Sequence, residues 1–331
     1  MLKRLFSVFE PFVLSLLGTV LLATLFPARG SFALFAGYMA DAGIILLFFL
    51  HGAKLSREAI WQGMRNWPLH LAVLAVTFGL FPMLGLGLSR LPGVDPSMAA
   101  GILFLTLLPS TVQSSIAFTA IARGNVAAAI CSASFSNLLG IVVTPALVAV
   151  LMQGNGSGGI SLASVEGIVL QLLAPFVIGH FLRPWIGDLV GRHKAMLTLV
   201  DRGSILLVVY TAFGAAVVEG LWTRVSPDDL GRLLLICLLL LGVVLMLTLG
   251  IARLMRLPRA DAIVLQFCGS KKSLASGVPM AGVLFPAAQV GVILLPVMLF
   301  HQIQLIACAM LARHYSDQVE EEPPVEVSRE A

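Results

Sequence analysis

Lys271 and Lys272 stand side by side in Cys-Gly-Ser-Lys-Lys-Ser (268–273), near the middle of an apolar stretch from Asp261 to Leu284 long enough to cross a membrane. A charge at bilayer depth costs a few kcal/mol or more unless partners or water receive it. Gly269 and the polar neighbours also argue against a plain helix there. A second polar interruption, Pro109-Ser-Thr-Val-Gln-Ser-Ser (109–115), lies in the middle of another apolar segment. Breaking a helix inside a membrane frees backbone N–H and C=O groups, which are tolerated only where protein or a water-filled cavity satisfies them. The N-terminal ends of half-helices suit a carboxylate, sulfate or phosphate. Carbonyls at the C-terminal ends, with hydroxyls and amides, suit a small cation. Pro109 removes one backbone donor, and Ser110, Thr111, Gln113, Ser114 and Ser115 place side-chain oxygens around the break. Such a pair of breaks is the usual device by which secondary transporters bind their cargo.

Other polar residues fall in apolar segments. Ser132, Ser134, Ser136 and Asn137 share one, Gln266 precedes the lysines, and Thr77 lies five residues before Pro82. Serine commonly packs helix interfaces in membranes, so a hydroxyl alone is weak evidence for a site. Asn137 and Gln266 are costlier to bury and need partners. His51, His70, His180 and His301 lie within or near apolar segments, where a neutral packed histidine is the ordinary case. His301, in Phe-His-Gln-Ile-Gln (300–304), is the best candidate for a proton relay. Glu10 and Asp41 are assigned no role. Cys131, Cys237, Cys268 and Cys308 form no Cys-x-x-Cys, and the sequence shows no metal-ligand cluster.

The elements that must position these residues are membrane spans. The chain is 58% hydrophobic and 11% charged, with a mean hydropathy of +0.97. A soluble protein carries about 25% charged residues, so this is a polytopic membrane protein. The net charge of +4 is dispersed between spans, which excludes a nucleic-acid-binding stripe. Runs of about 20 apolar residues give ten candidate spans at 6–26, 32–52, 67–90, 98–122, 126–152, 160–182, 199–220, 231–254, 260–284 and 286–312. The first is read as a span and not as a cleaved signal. A Gly/Ser-rich linker at 154–163 divides the chain, and an acidic tail at 316–331 is expected to be disordered. With both termini cytoplasmic, fourteen Lys and Arg fall on the inside and four (Arg29, Arg90, Arg224, Arg232) on the outside, a firm positive-inside signal. The breaks near 112 and 270 are about 158 residues apart, and the same shift carries span one onto span six. Five spans per half require the second half to be inverted.

Several motifs carry a family resemblance: Leu-Phe-Phe-Leu-His-Gly-Ala-Lys-Leu (47–55), Leu-Pro-Ser-Thr-Val-Gln-Ser-Ser (108–115), Ala-Arg-Gly-Asn (122–125), Ser-Asn-Leu-Leu-Gly-Ile-Val-Val-Thr-Pro (136–145) and Cys-Gly-Ser-Lys-Lys-Ser-Leu-Ala (268–275). Together they make the chain resemble the bile acid:sodium symporter family, most closely its sodium-bile-acid-symporter-like branch, up to about residue 315. The resemblance implies ten helices in two inverted five-helix repeats. Spans one, two, six and seven form a panel, and the rest form a core in which broken spans four and nine cross. It implies transport of an organic anion with sodium. The family's Ser-Asn pair falls on Ser114 and Ser115, and a sodium-site glutamine on Thr77. Span-five hydroxyls fall near Ala129 and Ala133, with Ser132, Ser136 and Asn137 as neighbours. The glutamate shared by two sodium sites falls on Gln266, and an Asn-Ser pair on Lys271 and Lys272. A sodium ion about 4 Å from an ammonium with no carboxylate would be repelled by about 4 kcal/mol at an effective dielectric near 20. Lys272 is therefore expected to stand where relatives hold sodium, and Lys271 to face the substrate. A desolvated lysine could also carry a proton through the cycle.

The sequence thus predicts an all-α polytopic protein with repeats at 1–153 and 154–315 and a cytoplasmic tail at 316–331, in the cell (inner) membrane. The expected function is secondary active transport of a small organic anion. Ser110, Thr111, Gln113, Lys271 and Ser273 are expected on the substrate. Thr77, Ser114, Ser115, Ser132, Ser136, Asn137, Gln266, Ser270 and Lys272 are expected at the coupling ion, Na+ or H+. No other cofactor, no nucleic acid and no protein partner is expected. A non-transporting membrane regulator or receptor of the same fold is the alternative.

Overall fold

A computed structural model describes residues 11–54, 66–152 and 169–320. The start of span one with Glu10, the loop arginines Arg57 and Arg65, the linker at 154–163, the first half of span six and residues 321–331 of the tail lie outside the described residues. Every described element is helical, with no strand. The helices are α1 (Pro11–Leu25), α2 (Gly30–Lys54), α3 (Trp67–Leu88), α4 (Pro96–Leu107), α5 (Val112–Ile121) and α6 (Val126–Leu151) in the first half. The second half holds α7 (Ala174–Arg192), α8 (Lys194–Val218), the single turn α9 (Leu221–Arg224), α10 (Pro227–Leu254), α11 (Arg259–Gly269), α12 (Leu274–Leu284) and α13 (Ala287–Glu320). Among the described residues six helices are long and apolar enough to cross a membrane, and seven if the pair α4 and α5, bent by 60°, is one span. The closing helix continues five residues past the expected boundary at 315, to Glu320.

Local sequence explains where the helices start. Asp95 caps α4 by accepting from Ser97 N–H at 2.8 Å, ahead of Pro96 in the first turn. Asn125 caps α6 by accepting from Ala128 N–H at 3.1 Å. Ser226 and Asp229 form a reciprocal capping box on α10. Gly220, with φ +85°, makes the left-handed turn into α9 that other residues adopt at a cost.

Packing follows membrane rules. Large apolar side chains such as Phe35 (61% exposed), Leu235 (67%) and Leu239 (53%) face outward along the helices. That is where lipid chains replace a protein core. The tightest helix crossing is α2 on α7. A Cβ on Gly52 would lie 2.0 Å from Phe176 O, and one on Gly179 would lie 2.0 Å from Phe49 O. Only glycine lets the two backbones touch there.

Candidate functional site

The two interruptions meet. Pro109 has no N–H to extend α4, so the chain leaves the helix at Leu108 with ψ 154° and re-enters helix at Val112. Leu274 likewise restarts the helix after Ser270–Ser273. Ser273 N–H donates to Pro109 O at 2.8 Å, joining the breaks through main chain. Thr111 Oγ1 donates to Lys272 O at 3.0 Å, Ser110 Oγ to Cys268 O at 2.5 Å, and Ser115 Oγ to Phe267 O at 3.1 Å. Each break is also braced by the helix that follows it. Ser136 Oγ on α6 accepts from Ser110 N–H at 2.9 Å, and Thr144 Oγ1 donates to Leu107 O at 2.8 Å. Gln304 on α13 accepts from Lys272 N–H at 2.8 Å and donates to Lys272 O at 2.9 Å.

Both lysines are fully buried, and their heads go opposite ways. Lys272 Nζ donates to Thr77 O (2.8 Å), Thr106 O (2.7 Å) and Leu108 O (2.7 Å), and lies 4.1 Å from the centre of the Phe81 ring. Lys271 Nζ stands over Phe118 at 4.4 Å and Phe267 at 5.6 Å, with Ser114 Oγ at 3.4 Å. The aromatic faces compensate part of its desolvation.

A cavity of about 380 Å³ opens beside the crossing. Thr111, Val112, Gln113 and Ser114 at the start of α5, and Ser273 to Ser276 at the start of α12, form one wall, with Ser134 and Asn137 of α6 and His301 of α13. The facing wall is Phe12 of α1, Leu47, His51 and Lys54 of α2, Phe176 of α7, and Thr198, Asp201, Arg202 and Ile205 of α8. Lys54 pairs with Asp201, and the Arg202 guanidinium lies 5.3 Å from the centre of the Phe12 ring. Among the described residues the lining carries Lys54, Arg202 and Asp201, beside two helix N-termini.

Of the residues singled out from the sequence, Thr111, Gln113, Ser114, Asn137, Ser273 and His301 line this cavity. Asn137 Oδ1 accepts from Ser276 Oγ at 2.7 Å, and His301 Nδ1 lies 2.9 Å from Gln304 Nε2. Ser110, Ser115 and Ser136 hold the crossing together. Lys271, expected to face a substrate, lies behind Ser114 and is not part of the lining. Thr77 contributes its carbonyl to Lys272, while its hydroxyl donates within its own helix to Val73 O at 2.8 Å. Gln266 Nε2 donates to Leu245 O at 3.0 Å, Ser270 Oγ to Gln266 O at 2.5 Å, and Ser132 Oγ lies 2.7 Å from His70 Nδ1.

Sequence reasoning missed the charged mouth and the brace. Lys54 and Arg202 read as charges that mark the inside ends of spans, and a panel shared by spans two and seven does not by itself put these side chains on a cavity. Gln304 was visible in the 300–304 motif, where a polar residue five positions from the centre of the span needs partners.

Interrupted helices that cross beside a polar cavity, in a chain of long apolar helices, define a helical membrane protein of the secondary-transporter class. The family profile of the SBF-like CPA transporter family matches residues 10–317, and the chain belongs to that family. It is a family of transporters and not of enzymes. Over 320 residues the chain is 52% identical to a protein of Escherichia coli (strain K12) named "Putative symporter YfeH", covering 96% of each. It is 55% identical over 309 residues to an uncharacterized protein of Pseudomonas aeruginosa, covering 93% of each. It is 28% identical over 280 residues to sodium/bile acid cotransporter 7 of Rattus norvegicus, covering 81% of this chain and 80% of that one.

Proposed function

We propose that the protein carries a small organic anion across the cell (inner) membrane by alternating access. The carrying observation is that the N-terminal ends of α5 and α12 open onto one cavity whose far wall holds Lys54, Asp201 and Arg202. Two helix starts, with their N–H groups and positive dipole ends, suit a carboxylate, sulfate or phosphate. Leu47, Ile130, Leu138, Phe176 and Ile205 give the same cavity an apolar flank for the organic body. The name of the rat relative, sodium/bile acid cotransporter 7, is in keeping with an amphipathic anion.

The architecture we infer has ten spans: α1, α2, α3, the pair α4 and α5, α6, α7, α8, α10, the pair α11 and α12, and α13. The equivalent braces from Ser136 on the helix after the first break and Gln304 on the helix after the second support two inverted repeats. Helices α1, α2, α7 and α8 form the panel wall of the cavity and the others the core. Lys54 and Arg202 sit on the basic, cytoplasmic side, as do both termini, so this conformation opens inward. We assign coupling to a proton or to no ion, and not to sodium. Gln266 stands where a sodium-site carboxylate is implied, and Lys271 and Lys272 place two positive charges beside it. His301, on the cavity wall and bonded to Gln304, is the proton relay of this reading.

The test is a melting-temperature screen of organic anions on the purified protein, in sodium and in choline salts. An anion that stabilises the wild type equally in both salts, and that loses its effect in Lys54→Gln/Arg202→Gln, supports the reading. Stabilisation that needs sodium, or that survives the double substitution, contradicts it.

A further inference from the structure

Three main-chain carbonyls converge on Lys272 Nζ, and two prolines explain why they are free. In α3 the turn Val76–Leu80 is a π-helix, in which Phe81 N–H donates to Val76 O. The next donor in that pattern would be residue 82, which would bond Thr77 O, but Pro82 has no N–H. Thr77 O is left to the interior. In α4, the natural donor to Thr106 O is Ser110 N–H, which instead bonds Ser136 Oγ. Leu108 O lies beyond the last helical residue because Pro109 ends the helix. Three orphaned carbonyls inside a membrane are costly unless a donor or a cation meets them. They sit 2.7, 2.7 and 2.8 Å from a single nitrogen, with the face of Phe81 at 4.1 Å. An ammonium has three donors, so the set is complete.

We propose that this cage is a monovalent-cation site and that Lys272 fills it with a cation held covalently, so that the crossing is assembled without any exchangeable ion at this place. Lys271 marks the contrast. Among the described residues its ammonium meets one hydroxyl at 3.4 Å and two rings, and no carbonyl, so the neighbouring lysine is not a second version of the same device. The cage also ties three segments together. The side chain starts in the second break and reaches the end of α4 before the first break and the π-turn of α3. The inference rests on the cage geometry and stands or falls independently of what the cavity carries.

Removing the side chain beyond Cβ should open a site of the right size and polarity for a small cation. Lys272→Ala is purified and melted in choline, sodium and methylammonium chloride at equal concentration, beside wild type and Lys271→Ala. The expected result is a wild-type melting temperature that is the same in choline and sodium. Lys272→Ala should melt several degrees lower in choline and recover a substantial part of the loss in methylammonium or sodium, through saturable binding to the folded state. Lys271→Ala should show no such recovery. A folded Lys272→Ala that matches wild type in choline, or that ignores both small cations, overturns the proposal. If Lys272→Ala yields no folded protein in any salt, the pair Lys272→Arg and Lys272→Met decides. A folded arginine variant with an unstable methionine variant supports the caged charge, and a methionine variant as stable as wild type overturns it.

Discussion

Replacing Gln304 with leucine removes a side chain that satisfies both main-chain polar groups of Lys272. Gln304 is fully buried, accepts from Lys272 N–H at 2.8 Å and donates to Lys272 O at 2.9 Å. In Gln304→Leu the N–H is orphaned in the interior, which costs about 1–3 kcal/mol. The carbonyl fares better, because Thr111 Oγ1 still donates to it at 3.0 Å. Its loss is one of two bonds, about 0.5–1.5 kcal/mol. The sum is about 1.5–4.5 kcal/mol, and the weaker average of interhelical hydrogen bonds in membranes, about 0.6 kcal/mol each, sets the floor. At about 2–4 °C per kcal/mol for a large domain, the loss is several degrees of melting temperature. Tryptophan fluorescence during heating in detergent, at one fixed scan rate, reads it. Gln304→Glu keeps an acceptor for the N–H and should lose less. A leucine variant melting within about 1 °C of wild type would refute the reasoning that the break depends on this brace.

Three further outcomes are expected. Gly52→Ala and Gly179→Ala each drive a methyl into main chain of the opposite helix, so each should reduce the yield of folded protein sharply, as read by size-exclusion profile, while Gly79→Ala, whose Cβ would meet nothing within 4 Å, should not by that contact. Ser226→Ala removes the cap of α10 and should cost about 1 kcal/mol, seen as a small drop in melting temperature that Ser226→Asp largely avoids. Ser134→Trp, on the cavity wall, should abolish stabilisation by any anion found in the screen while the protein stays folded, because the indole fills space that the ligand needs.

The membrane class, the polar breaks and their pairing were legible in the sequence because charge and proline inside an apolar run have few physical explanations. Pro109, Lys271 and Lys272 marked the two breaks, and their crossing was implied by the family resemblance. The roles of the two lysines were not separable, since adjacent residues give no sign of which head finds carbonyls and which finds rings. That depends on Pro82 and the π-turn of α3, about 190 residues away in sequence, whose effect on Thr77 O emerges only when α3 packs against the second break. Ser132 and Ser136 looked alike on one helix, and Asn137 stood out only as costlier to bury. The structure sends Ser132 to His70, Ser136 to the first break and Asn137 to the cavity. The cavity mouth was illegible for a different reason. Lys54, Asp201 and Arg202 sit at span ends, where charge is ordinary, and a shared panel for spans two and seven does not say that these side chains meet on a cavity wall.

The central claim is that the cavity carries an organic anion from one side of the membrane to the other. Its most direct test is counterflow in proteoliposomes, using the anion that stabilises the protein best in the melting screen. With unlabelled anion inside and labelled anion outside, in choline medium, the account predicts saturable, trans-stimulated uptake that Ser134→Trp abolishes. An anion that binds and stabilises the protein but gives no counterflow, in choline or in sodium medium, would contradict transport and leave a membrane receptor with a transporter's fold.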